Sequence, residues 1–175
     1  MKTHAIFLFS LLIALAAAQQ NEYTVQFDTL EIVSYNKDLI ENPVVTLFKF
    51  NETSQAFNGS GILKKDLGMD IKVNMDAAKV EDDGKLKQMA NVKDVDMCDL
   101  IERNQFGLKD LLKYGNFTTC PWKAASYVIS NAMIDVTKLP PKAPAGKYIM
   151  NLQHFSGTTE LMQTKFTGSV IPKAQ

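Results

Sequence analysis

Residues 69–85 read Met-Asp-Ile-Lys-Val-Asn-Met-Asp-Ala-Ala-Lys-Val-Glu-Asp-Asp-Gly-Lys, and the first half of this stretch decides the fold. Met69, Ile71, Val73 and Met75 alternate with Asp70, Lys72 and Asn74. Successive strand side chains point to opposite faces, so a period of two puts the apolar set against a core and the polar set in water. The run continues to Val80 and stops at Glu81-Asp82-Asp83-Gly84-Lys85, where Asp-Gly suits a tight reversal that needs positive φ. The charges of that turn read as a solvated loop rather than a calcium site.

Working outward, residues 56–64 look like the partner of this strand. Upstream, residues 22–33 (EYTVQFDTLEIV) alternate in two parities: Tyr23, Val25 and Phe27, then Leu30 and Ile32. A change of parity within one strand predicts a bulge. Asn36-Lys37-Asp38 makes a turn, and a second strand, VVTLFKF, is expected just after Pro43. Downstream of Cys98 the period becomes helical, with Leu100, Ile101, Leu108, Leu111 and Leu112 on one stripe, broken near Gly107. Gly115 would end it with a left-handed cap. Strands return at 125–136, at KYIMNLQHF from Lys147, and at ELMQTKFTGSVI from Glu160, with the proline-rich 139–146 lying outside any sheet. Seven or eight antiparallel strands with short turns and one helical excursion between the cysteines predict a mainly β protein, a sandwich of two sheets.

The N-terminus reads as a removable signal. Lys2 and His4 precede an apolar run of 14 residues from Ala5 to Ala18, interrupted only by Ser10, and Ala16-Ala17-Ala18 supplies small residues for cleavage before Gln19. That run falls short of the roughly 20 residues a membrane helix needs. The expectation is a signal peptide at 1–18 and one secreted extracellular domain at 19–175, soluble and without stable membrane insertion. Cleavage removes Lys2 and leaves 18 Lys and Arg against 19 Asp and Glu, with Arg103 the single arginine. No basic cluster is present, which argues against a nucleic-acid partner. Cys98 and Cys120, an even pair in an exported chain, imply one disulfide. Asn51-Glu52-Thr53, Asn58-Gly59-Ser60 and Asn116-Phe117-Thr118 are glycosylation sequons, and the first two suggest that 51–60 is an exposed hairpin end.

The residues around the cysteines carry a resemblance. Asp96-Met97-Cys98, a helical stretch, Asn116-Phe117-Thr118-Thr119-Cys120-Pro121, Leu139-Pro140 and Pro144-Ala145-Gly146-Lys147-Tyr148 resemble a family of secreted insect proteins of undetermined function. That family is similar to the lipid-recognition group that includes the ganglioside activator protein. The likeness covers roughly residues 70–155. Trp122-Lys123 stands where relatives have a small residue, and activator-like members carry further disulfides. The resemblance implies an antiparallel sandwich or cup, of immunoglobulin-like or lipid-recognition type, whose sheets admit a lipid or other apolar molecule. The resemblance also implies a chemosensory or pheromone-related setting, the one thought to hold for some members, while others are simply secreted.

No catalytic constellation is legible. His154 is the sole histidine after residue 18 and lacks a nucleophile motif, so it reads as a surface or hydrogen-bonded sheet residue. One histidine with two bridged cysteines does not make a zinc site, and the pairs Asp82–Asp83 and Asp94–Asp96 read as exposed. No phosphate loop occurs. The expectation is a non-catalytic binding protein with no metal and no cofactor. Its seven mature methionines suit an adaptable apolar pocket as well as a filled core. Val73, Met75, Ile129, Met133, Met150 and Leu152 are the expected lining, with Trp122 at the entrance. A second class stays open: an extracellular protein-interaction factor (salivary, venom or reproductive) that has a solid core and a protein or receptor partner. A void of about 300 Å³ between the sheets favours the carrier; an exposed apolar patch over a solid interior favours the other.

Overall fold

A computed structural model describes residues 22–173, so the expected signal peptide lies outside the described residues. Among these residues eight strands are present: β1 Tyr23–Tyr35, β2 Ile40–Lys49, β3 Gln55–Leu63, β4 Ile71–Val80, β5 Leu86–Asp96, β6 Ala125–Ala132, β7 Gly146–Ser156 and β8 Thr159–Pro172. They form a five-stranded sheet, order β1-β8-β7-β4-β5, and a three-stranded sheet, order β2-β3-β6. Every pairing is antiparallel. One short helix, α1 Met97–Glu102, follows β5 directly. No helix among the described residues is long and apolar enough to cross a membrane.

The parity change in β1 is a pair of register shifts against β8, between Phe27 and Thr29 and between Ile32 and Ser34. The 81–85 turn closes β4 onto β5 with Gly84 at φ 80°. Other expectations need correction. β3 and β4 are not partners; β3 joins β2 and β6, and β4 sits between β5 and β7. The chain crosses sheets through 64–70, where Leu67 bridges Trp122. β2 begins at Ile40 rather than after Pro43, because Pro43 falls in a register shift on an edge strand, where a missing N–H disrupts no ladder. Asn58 is not in a hairpin tip but inside β3, opposite Thr46.

The helical excursion is shorter than its apolar stripe suggests. Asp96 caps α1 by accepting the Asp99 N–H at 3.0 Å. Beyond Arg103 the chain continues only as 3-10 turns at Gln105–Gly107 and Lys109–Tyr114, with Asn104 and Phe106 at positive φ. Gly115 does not cap in the left-handed region; its φ is −163°. It is required because the backbone meets β6 there: a Cβ would stand 1.9 Å from the Val128 carbonyl oxygen. Cys98 and Cys120 are bonded, with 5.7 Å between their Cα atoms.

The sheets are tied firmly at the disulfide end. Leu63, Leu67, Ile71, Cys98 and Leu161 are buried together, with Met97, Trp122, Tyr127 and Met162 packed around them. Asp66 adds an exposed clasp there, accepting from Lys123 Nζ and Ala124 N at 2.8 Å each. A second tie sits at the β1 bulge, where the Gln55 amide accepts from Phe27 N at 2.8 Å and donates to Phe27 O at 2.7 Å. The Tyr23 hydroxyl donates to the Pro140 carbonyl.

Candidate functional site

The registers define which residues face the space between the sheets. On the five-stranded sheet one parity contains Val73 and Met75 on β4, Met150, Leu152 and His154 on β7, and Met162, Thr164 and Phe166 on β8. Phe166 lines an inter-sheet pocket with Leu47 and Phe57, which fixes this parity as the inner one. On the three-stranded sheet, Phe57, Gly59, Gly61 and Leu63 share the inward parity of β3, with Tyr127 and Ile129 opposite Gly61 and Gly59. The middle of that central strand therefore presents two glycines, and both are covered: Ile129 Cγ2 stands 3.1 Å from the Cβ position of Gly59 and Pro43 Cα 3.4 Å from that of Gly61.

Of the residues expected to line a pocket, Val73, Met75, Met150 and Leu152 are brought together on the inner face, Met75 directly opposite Leu152. Ile129 belongs to the inner face of the other sheet. Met133 lies just past the end of β6 and is half-buried. Trp122 stands apart, against the disulfide-end cluster, with its indole N–H donated to the Thr118 carbonyl at 2.8 Å. Those two contacts tie it into the framework rather than into the inter-sheet space.

The space is loosely filled. Ile71 is the single large side chain among the described residues with under 2% exposure. Met75, Met150, Leu152 and Met162 all keep accessible surface, though β7 is flanked on both sides and β4 and β8 are its neighbours. A well-packed sandwich buries inward residues of its central strands almost completely. The pocket that has formed, lined by Phe27, Leu30, Leu47, Phe57, Ile134 and Phe166, holds only about 10 Å³, which is below the void a carrier would need at rest.

A larger concavity lies on the opposite side of the five-stranded sheet. It is an open trough of about 600 Å³ whose walls mix polar Asn74, Asp76, Asn91, Asn151, Gln153 and Lys165 with apolar Val33, Leu86 and Ile149. Met75, Leu152 and Thr164 touch it only as the floor between those rows. Asp76 accepts from Gln88 at 2.8 Å and Asn91 at 3.4 Å, and Asn74 accepts from Asp94 N at 2.8 Å, so part of the wall is already bonded to itself.

His154 is half-buried, and its side chain makes no hydrogen bond to another described residue. It projects inward, and desolvation holds its imidazole down to about 4 from an ordinary 6.5. Sequence alternation does put His154 on one face with Met150 and Leu152, which was the available signal. The four exposed acidic residues singled out earlier occupy turn or edge positions, Asp83 bonded to Lys85 at 2.6 Å. Among the described residues no group of three or more His, Cys, Asp or Glu could hold a metal.

Residues 71–150, from the start of β4 to the middle of β7, match the model of a family described as a protein of unknown function (DUF1091). The stretch contains both cysteines, α1 and most of the expected lining residues. No curated protein matches the chain.

Proposed function

We propose that this is a secreted, non-catalytic carrier of a small apolar molecule or lipid, held between two sheets that splay as a cup. The observation that supports the reading best is the loosely packed inner row of the five-stranded sheet: Met75, Met150 and Leu152 stay only half-buried on strands that are flanked on both sides. Unbranched methionines repack cheaply around different shapes. The 10 Å³ opening implies that the ligand parts the sheets on entry, hinging on the disulfide-end cluster. Each CH2 buried contributes about 0.8 kcal/mol before binding costs, so an alkyl chain needs no charged partner. The resemblance of residues 70–155 to a family of secreted insect proteins of undetermined function, itself distantly similar to the lipid-recognition group, suggests the same, and with it come a chemosensory or pheromone-related setting and an extracellular location.

Native mass spectrometry of glycosidase-treated protein secreted from insect cells tests this. A retained mass that leaves with organic solvent and rebinds one-to-one as a fatty acid, phospholipid or hydrocarbon is the expected result. Bare, folded protein that refuses such ligands overturns it. The outer trough of about 600 Å³, with exposed Val33 and Leu86 beside its polar residues, favours a second reading, an extracellular recognition factor that meets a protein partner through this face. Charge reversal at Asp76 would then weaken partner binding and leave ligand uptake unchanged.

A further inference from the structure

His154 and Thr164 are the polar residues on the inward row that runs through Met150, Leu152, Met162 and Phe166. His154 faces Met162 across the β7–β8 pair and Val73 across the β4–β7 pair, and Thr164 faces Leu152. The two are thus diagonal neighbours on adjacent strands, roughly 7 Å apart at their backbones and within reach of one small group between them. Neither side chain makes a hydrogen bond to another described residue, whereas every fully enclosed side-chain nitrogen or oxygen among the described residues has a partner. The polar atoms of both therefore keep some accessible surface, where water can meet them in the free protein.

A purely apolar ligand lying over this row displaces that water and leaves both groups unmet. The cost is avoided if the bound molecule supplies the missing partner. Resting on the carrier reading, we propose that His154 and Thr164 anchor the head of the ligand, which is an uncharged apolar molecule bearing one oxygen function, a long-chain alcohol or ester.

The chemistry selects that class from three. The neutral imidazole offers one donor and one acceptor, and the threonine hydroxyl offers both. A hydroxyl or ester oxygen meets them reciprocally. A hydrocarbon leaves both unmet. A carboxylate would enter a face whose cross-strand neighbours are Val73, Leu152 and Met162, with no cation among them, and burying an unpaired carboxylate costs far more than burying a hydroxyl.

Displacement of the fluorescent apolar probe N-phenyl-1-naphthylamine from the secreted protein near neutral pH tests the assignment, with dodecanol, dodecyl acetate, dodecane and dodecanoate as competitors. Dodecanol and the ester are expected to displace the probe at about tenfold lower concentration than dodecane or dodecanoate, the size of one hydrogen bond's worth of affinity. His154→Leu should erase that preference while dodecane competes as well as before or better, and Thr164→Val, nearly isosteric, should reduce it several-fold. Equal displacement by all four, or an unchanged preference in both variants, overturns the anchor while the carrier stands. Failure of the wild-type protein to bind the probe at all overturns the carrier and the anchor together.

Discussion

His154 illustrates how a residue's chemistry follows from one bit of geometry, the parity of its strand. Alternation along Tyr148–Phe155 groups it with Met150 and Leu152, but both parities of that strand carry apolar side chains, so sequence alone does not say which faces inward. The register against β4 and β8 does. A half-buried, desolvated histidine then resists protonation, and the sign of the consequence is fixed. Between the unfolded value of 6.5 and the native value of about 4, the unfolded chain takes up a proton that the native chain does not. Stability is flat above that window and falls as pH drops through it, by at most about 3 kcal/mol and less to the extent that the ring remains accessible. Asp66, Asp83 and Asp135, held below 3.8 chiefly by side-chain hydrogen bonds from Lys123, Lys85 and Thr137, act mainly at lower pH. Urea midpoints measured from pH 7 down to 4 should therefore slope in the wild type and flatten in His154→Leu. Equal slopes would mean the ring is solvated. The sequons divide on similar grounds. Asn51 sits in an exposed turn with only its oxygen engaged, by Thr53 N at 2.9 Å and Thr53 Oγ1 at 3.2 Å. Asn116 uses both ends on β6, donating to Ser126 O at 2.8 Å and accepting from Val128 N at 2.7 Å. In secreted protein, Asn51→Gln should remove one glycan. Asn116→Ala should remove none but cost about 1–2 kcal/mol, which glycopeptide mapping and denaturation would separate.

At the scale of elements, the strands with clean alternation were legible and the pairing between them was not. β4 announced itself through Met69–Met75, although Met69 itself lies outside the strand and is exposed. Its supposed partner β3 went to the other sheet, since two strands adjacent in sequence and of matching length carry no information about which neighbour each prefers. β5 was overlooked for a physical reason: as an edge strand with two register shifts, at Met89 and near Asp94, it has no consistent inward face to encode. The segment from Leu100 to Leu112 shows the opposite failure. Its leucines have helical spacing, yet the tether from Cys98 to Cys120 and the approach of Gly115 to β6 leave room for only one helical turn and a half followed by 3-10 turns. Gly115 is the element's fixed point, hydrogen-bonded onward through Asn116 N to Val128 O at 3.1 Å. Alanine there would collide with backbone, which yields less readily than a flexible side chain. Gly115→Ala should therefore lower stability by about 3 kcal/mol or more, or stop secretion, whereas Gly68→Ala, where a Cβ meets nothing within 4 Å, should be nearly silent. Matched yields and urea midpoints for the two would show that β6 and this loop do not meet closely.

For the whole molecule, the question is whether the two sheets enclose a solid core or a space. The disulfide end has the character of a core: Ile71 at 1% exposure, with Leu63, Leu67 and Leu161 around it. The middle has a different character, with partly accessible methionines on the inner row of the five-stranded sheet. In the sequence, Asn58-Gly59-Ser60-Gly61 reads first as a sequon in a turn, and only the register reveals the glycines as inward positions of a central strand. If the middle is a space awaiting ligand, truncating its lining opens little new void and frees few contacts, whereas truncating the core end creates a cavity in rigid surroundings. Ile71→Ala should cost about 2–5 kcal/mol, the range for large-to-small changes in packed interiors. Leu152→Ala and Met150→Ala should each cost nearer 1 kcal/mol in ligand-free protein, because the lost transfer energy remains but the cavity penalty does not. Ligand should widen the gap in the other direction, stabilising the wild type by mass action and the Leu152→Ala variant less. Denaturation of delipidated protein with and without added ligand reads both effects. Equal costs at Ile71 and Leu152 would mean that the sheets already close on a filled interior, and the weight would pass to recognition through the outer trough.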